Sequence, residues 1–77
     1  MKKWYERIRE LREDLPIKKS QSDVAKDLKI TQRKLSYIET GKTEPSLEDL
    51  THICKYYGVS ADYILGYTNI QKELPKK

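Results

Sequence analysis

The sequence has no phenylalanine, one cysteine, one histidine, three glycines and three prolines in 77 residues. Each scarcity removes a class of protein. A lone Cys54 cannot close an internal disulfide, so the chain is no cystine-stapled scaffold and suits a reducing cytoplasm. His52 and Cys54 lie close in sequence, but at helical spacing they point about 200° apart, and a metal site needs more ligands than this pair. We read Cys54 as a small core residue. Gly41, Gly58 and Gly66 are each spaced as helix stops, so no glycine-rich phosphate loop exists. The carboxylates are scattered in helix first turns or ion-pair positions. An enzyme lacks its parts here, and no cofactor, metal or small-molecule ligand is evident. No apolar run approaches the length that spans a bilayer, and none follows the basic Met1-Lys2-Lys3, so neither a membrane partner nor a targeting signal is expected.

What is present is charge and tyrosine. Charged residues make up 36% of the chain, against 36% hydrophobic, and the aromatics are six Tyr and one Trp. A chain this short holds one domain with a small core, so its helices must pack efficiently or a partner chain must add burial. The net charge of +4 is unevenly placed. Lys18 to Lys42 carries seven basic and three acidic residues, whereas Thr43 to Tyr67 carries one basic and four acidic. The positive excess therefore falls on the first of these stretches, where a phosphate backbone would be met. An ordinary solvated surface is the plain alternative for an asymmetry this mild.

That stretch, SQSDVAKDLKITQRKLSYIETGK from Ser20, organises the chain. Ser20 caps a helix whose apolar stripe is Val24, Ala25 and Leu28. Lys29 and Ile30 make a turn. Thr31 caps a second helix, with Leu35 and Ile38 inward and Gly41 after its end. Opposite that apolar pair, Gln32, Arg33, Ser36 and Tyr37 fall in an arc of about 140° at the helix's N-terminal end. All four can hydrogen-bond and none is needed for a core. From periodicity alone this is an exposed polar face, as any surface helix has.

The flanks complete an all-α bundle of five helices. Lys3 to Asp14 is amphipathic, with Tyr5, Ile8, Leu11 and Leu15 on one face. Trp4 beside them can cap the core, lie against the C-terminal tail or bury against a second chain; we read it as capping the core. Pro16 ends this helix, and Asp14 to Lys19 connects it onward. Ser46 caps a fourth helix with Glu48 and Asp49 in its first turn and Leu47, Leu50, Ile53, Cys54 and Tyr57 as its apolar side. Gly58 stops it. Ser60 caps a short fifth helix packed by Tyr63, Ile64 and Leu65, which Gly66 ends. Residues 1–67 make the domain, and 68–77, polar and basic with Pro75, read as a flexible tail.

IRELRED, SQSDVAKDL, ITQRKLSYIETGKTEPSLEDL and YYGVSADYILG, in this order and nearly this spacing, resemble the lambda-repressor-like, Cro- and Xre-type helix-turn-helix regulators. The resemblance covers roughly Tyr5 to Gly66. It implies sequence-specific binding of double-stranded operator DNA by a homodimeric regulator, with the second helix of the motif in the major groove. It implies base contacts from Gln32, Arg33, Ser36 and Tyr37. Phosphate contacts would come from Gln21, Lys34, Thr40, Lys42 and Thr43. It also implies a structural ion pair between Arg12 and Glu39. The fourth and fifth helices and the tail would supply the dimer interface, with Tyr56, Tyr63 and Tyr67 as candidates to bury there or to finish the core. Two departures stand out: a slightly longer connector before the motif, bringing Lys18 and Lys19, and Lys29 where the family usually has Gly. The alternative on the same fold is a protein-interaction module, an antitoxin or anti-repressor partner.

Overall fold

A computed structural model describes residues 2–71. Its elements among these residues are five helices: α1 (Trp4–Glu13), α2 (Gln21–Leu28), α3 (Gln32–Glu39), α4 (Leu47–Tyr57) and α5 (Ala61–Leu65). The all-α, five-helix expectation is borne out.

Four helices start the same way. The hydroxyls of Ser20, Thr31, Ser46 and Ser60 accept from the backbone N–H of Asp23, Lys34, Asp49 and Tyr63, at 3.0 to 3.1 Å. Each cap satisfies a donor that the helix cannot, and is worth about 1 kcal/mol. In α1 the Glu6 carboxylate instead reaches back to accept from the Lys3 N–H at 2.9 Å.

The core takes Ile8 and Leu11 from α1, Val24, Ala25 and Leu28 from α2, Leu35 and Ile38 from α3, Ile53 and Cys54 from α4, then Val59 and Ile64. Trp4 is half-buried against this cluster. Helix α3 packs on α1 and α2, α4 on α2 and α5, and α5 on α1. An isolated helix of eight residues is unstable in water, so α3 exists because Leu35 and Ile38 are completely enclosed. Burying each contributes roughly 1.5–3 kcal/mol.

Two residues read as inward are not. Leu47 is 85% exposed and Leu65 is 50% exposed. Leu47 opens α4 before the helix reaches the core. Leu65 ends α5 one position past the buried Ile64, and a step of about 100° turns it outward. Arg7, on the contrary, is buried. Its Nη1 donates to the carbonyls of Tyr63 (2.8 Å) and Thr68 (3.0 Å), its Nη2 donates to Asn69 Oδ1 (2.8 Å), and the guanidinium lies 4.5 Å from the centre of the Tyr63 ring. The Ser60 N–H donates to the Gln71 carbonyl at 2.9 Å. The chain is therefore held to the bundle beyond Thr68, and the remainder of the expected tail, 72–77, lies outside the described residues.

Two left-handed positions set the turns around α3. Lys29 closes α2 at φ 60°, the one non-glycine residue with positive φ among those described. The turn before α3 thus keeps a left-handed geometry without glycine, at a cost of about 1 kcal/mol. Gly41 follows α3 at φ 79°, and a Cβ there would stand 2.7 Å from Tyr5 Cδ2. Glycine is needed at 41 for backbone and for space. Lys29→Gly should raise the unfolding free energy by up to about 1 kcal/mol, and Gly41→Ala should lower it by more than about 1 kcal/mol. Urea denaturation of the two variants beside the parent measures both.

Candidate nucleic-acid interface

Because Leu35 and Ile38 point inward, the opposite side of α3 is open. Gln32, Arg33, Lys34 and Tyr37 are exposed and Ser36 is half-buried. The polar arc read from the sequence is neither packed inside nor covered by the described part of the chain.

Behind this face lies a buried acid. Glu39 is 1% exposed. Its carboxylate accepts from Arg12 Nε at 3.0 and 3.2 Å and from Arg12 Nη2 at 3.0 Å. A planar guanidinium gripping both oxygens suits a site where a lone carboxylate would be costly. The bond to Glu39 raises the Arg12 pKa. Burial, and then the Glu39 charge, holds the nearby Tyr57 phenol well above its ordinary range. A third donor comes from α2: Gln21 Nε2 donates to Glu39 Oε1 at 2.9 Å. Gln21 Oε1 in turn accepts from Gln32 Nε2 at 2.8 Å. Arg12, Glu39, Gln21 and Gln32 thus form one hydrogen-bonded line from α1 to the open face of α3.

The residues past α3 gather around Tyr37. Its carbonyl accepts from the N–H of Lys42 (2.9 Å) and Thr43 (3.3 Å). The Thr40 hydroxyl turns back onto the helix, donating to the Ser36 carbonyl at 2.9 Å. The Lys42 ammonium stands 5.5 Å from the centre of the Tyr37 ring. Thr40, Lys42 and Thr43 all remain exposed.

A helix-turn-helix family model matches residues 8–64. The chain belongs to the helix-turn-helix family. Within it, α2 and α3 are the motif, and the match runs from α1 into α5. The chain is 40% identical over 55 residues to the SPbeta prophage-derived uncharacterized HTH-type transcriptional regulator YonR of Bacillus subtilis, a stretch that is 71% of this chain and 51% of that protein. It therefore spans about half the length of this relative. The helix-turn-helix fold superimposes on the P22 c2 repressor, solved in complex with a synthetic operator, with a TM-score of 0.76. The two are 32% identical, and the match covers 84% of this chain and 96% of the repressor. Among the described residues no helix is long and apolar enough to cross a membrane, and no group of three or more His, Cys, Asp and Glu could hold a metal ion.

Around the helix-turn-helix, several side chains are engaged in ways the spacing did not reveal. Lys34 Nζ lies 2.8 Å from Asp49 Oδ2, which ties α3 to the first turn of α4. Asp49 had been legible only as a dipole residue. Lys19 donates to Asp27 Oδ2 at 2.8 Å, and the Tyr56 hydroxyl donates to the same oxygen at 2.6 Å. Lys19 and Tyr56 are thereby committed within the bundle, as Tyr63 is beneath Arg7. Tyr67 is 81% exposed.

Lys34, and then further hydrogen bonds from Ser46, hold the Asp49 carboxyl below its ordinary value of 3.8. A carboxyl that is more acidic in the folded state adds stability above its unfolded pKa and loses it as pH falls through the folded one. The Lys34–Asp49 bridge should therefore contribute fully above about pH 4 and fade below it. Since Lys34 is partly solvated, the contribution at neutral pH should be under about 1 kcal/mol. Asp49→Asn should be slightly less stable than the parent near neutrality, with the gap closing in acid, when both are unfolded in denaturant across that range.

Proposed function

We propose that this chain is a sequence-specific double-stranded DNA-binding transcriptional regulator, a repressor, that reads its operator with α3 in the major groove. The observation that carries this is the arc of exposed Gln32, Arg33 and Tyr37, with half-buried Ser36 among them, on a helix whose other side is locked by Leu35 and Ile38. An α-helix fits the major groove, where each base pair offers a distinct set of donors and acceptors. Kinship with an HTH-type transcriptional regulator, and with a repressor solved on operator DNA, supports the same assignment.

Roles follow from the groups. Arg33 can donate two parallel bonds to guanine O6 and N7. Gln32 can pair with adenine N6 and N7. Tyr37, flanked by Lys42, offers an apolar ring edge to a thymine methyl or its hydroxyl to a phosphate. Ser36 is small enough to let the helix approach closely. Gln21, at the start of α2, and Thr40, Lys42 and Thr43, beyond α3, meet the phosphate backbone, where helix N-termini and cations are favoured. Lys34 reaches a phosphate from the flank, in competition with Asp49.

One α3 reads few base pairs, so the active form is a homodimer with its two copies of α3 about 34 Å apart on a two-fold operator. The exposed Leu65, Tyr67 and Ile70 are the apolar residues near the C-terminal end that a second copy would cover. The protein acts in the cytoplasm, needs no cofactor and catalyses no reaction. A module that binds only proteins would leave a random duplex unshifted even at low salt.

Selection of bound sites from a random duplex pool tests the proposal. Arg33→Ala should flatten the preference at one base pair per half-site. Lys42→Ala should weaken binding to all sequences alike and lower the salt slope by about 1. If both variants bind the selected site as the parent does, the assigned face is wrong.

A further inference from the structure

The cations on and just after α3 are not equally free. Arg33, Lys34 and Lys42 supply three. Among the described residues Arg33 and Lys42 join no ion pair, and the Lys42 ammonium only flanks the Tyr37 ring. Lys34 differs, because its Nζ lies 2.8 Å from Asp49 Oδ2. The two side chains are unequally wet: Lys34 is 44% exposed and Asp49 13%. Asp49 Oδ2 is closed off from water and, apart from this ammonium, meets no partner among the described residues. Lys34 keeps the Asp49 carboxyl below its ordinary range, so it is ionised near neutral pH. Asp49 is also fixed in place, since its backbone N–H donates to the Ser46 hydroxyl at 3.0 Å in the first turn of α4. A carboxylate is therefore held beside α3 at a set point.

Opposite charges this close look almost neutral to a third charge farther away. Their separation is well inside the screening length of about 10 Å at 0.1 M salt, so salt does not divide them. A phosphate approaching Lys34 meets a weak dipole where the sequence promises a cation. Exchange does not restore the lost charge. When Lys34 turns from Asp49 to a phosphate, one counterion leaves the DNA, but the abandoned carboxylate beside the same backbone takes one up. We infer that Asp49 cancels Lys34 as a backbone contact and so holds down the sequence-independent part of DNA binding. This rests on the DNA-reading function proposed above. The base contacts of α3 then carry a larger share of the total affinity.

The readout is the slope of log affinity against log salt, measured on a random duplex and on a selected one between about 50 and 200 mM salt. Asp49→Asn keeps the size and polarity of the side chain, so the fold is retained. It should tighten binding to both duplexes alike and steepen the slope by about 0.9. Its advantage over the parent should shrink roughly three-fold across that salt range. Lys34→Ala combined with Asp49→Asn removes both charges and should return the slope to the parental value. Asp62→Asn makes the same change in net charge on α5, which packs on α1 and α4, and should leave the slope unmoved. An Asp49→Asn slope equal to the parent's overturns the inference. So does a double variant whose slope is shallower than the parent's by about 1, the result expected of an uncancelled lysine. An Asp62→Asn variant that steepens as much as Asp49→Asn also overturns it, since net charge alone would then suffice. A parent that shifts no duplex at low salt defeats the DNA-reading proposal and the inference with it. A parent that binds, beside an Asp49→Asn variant with an unchanged slope, defeats only the inference.

Discussion

One enclosed carboxylate holds the arrangement together. Taking Glu39 out of water carries a desolvation penalty of several kcal/mol, which only a full set of donors can offset. Those donors come from elsewhere in the chain: two from Arg12 on α1 and one from Gln21 on α2. Bonds from α3 to one residue in each of two other helices fix the register of all three more narrowly than apolar packing alone, because a carboxylate tolerates little misplacement. Leu35 and Ile38 supply the hydrophobic drive that seats α3. Glu39 makes that seating specific.

The rest of the bundle presents α3 without crowding it. The left-handed Lys29 and the Thr31 cap turn the chain sharply from α2 into α3. Gly41 lets the exit of α3 pass over the Tyr5 ring. Lys34 leans on Asp49, so the flank of α3 is fastened to α4. On the remote side, Arg7 gathers three oxygens from the stretch between Tyr63 and Asn69 and closes the bundle at its C-terminal end. The outcome is a short helix with its first turns free and its foundations rigid, as recognition of a fixed groove demands.

Much of this was legible because it is local. Ser20, Thr31, Ser46 and Ser60 each announce a helix start, and Gly58 and Gly66 announce ends, since capping is decided within a few residues. The polar arc on α3 follows from helical periodicity, although its use as a reading face came only with the family resemblance. The same holds for Arg12 and Glu39, whose pairing was implied by the resemblance. What escaped is what depends on contacts distant in sequence. Nothing near Arg7 says that it is buried against carbonyls more than fifty positions away, and the composition of Thr68 onward suggested a loose end. Periodicity placed Leu47 and Leu65 on apolar faces, but a helix's first and last residues can overhang the core. The bonds joining Gln21 to Glu39 and Gln32 cross from α2 to α3, and a pattern within either helix cannot reveal them.

The claim on which the account turns is that the open side of α3 is the surface that meets DNA. Backbone amide NMR spectra recorded during titration with a selected duplex measure this residue by residue. The account predicts that the shifts and broadening concentrate in Gln32, Arg33, Ser36 and Tyr37, with Gln21 and Thr40 to Thr43 beside them, while Thr51 and Lys55 on the outer side of α4 stay still. Perturbations centred on α4, with α3 unmoved, would contradict it.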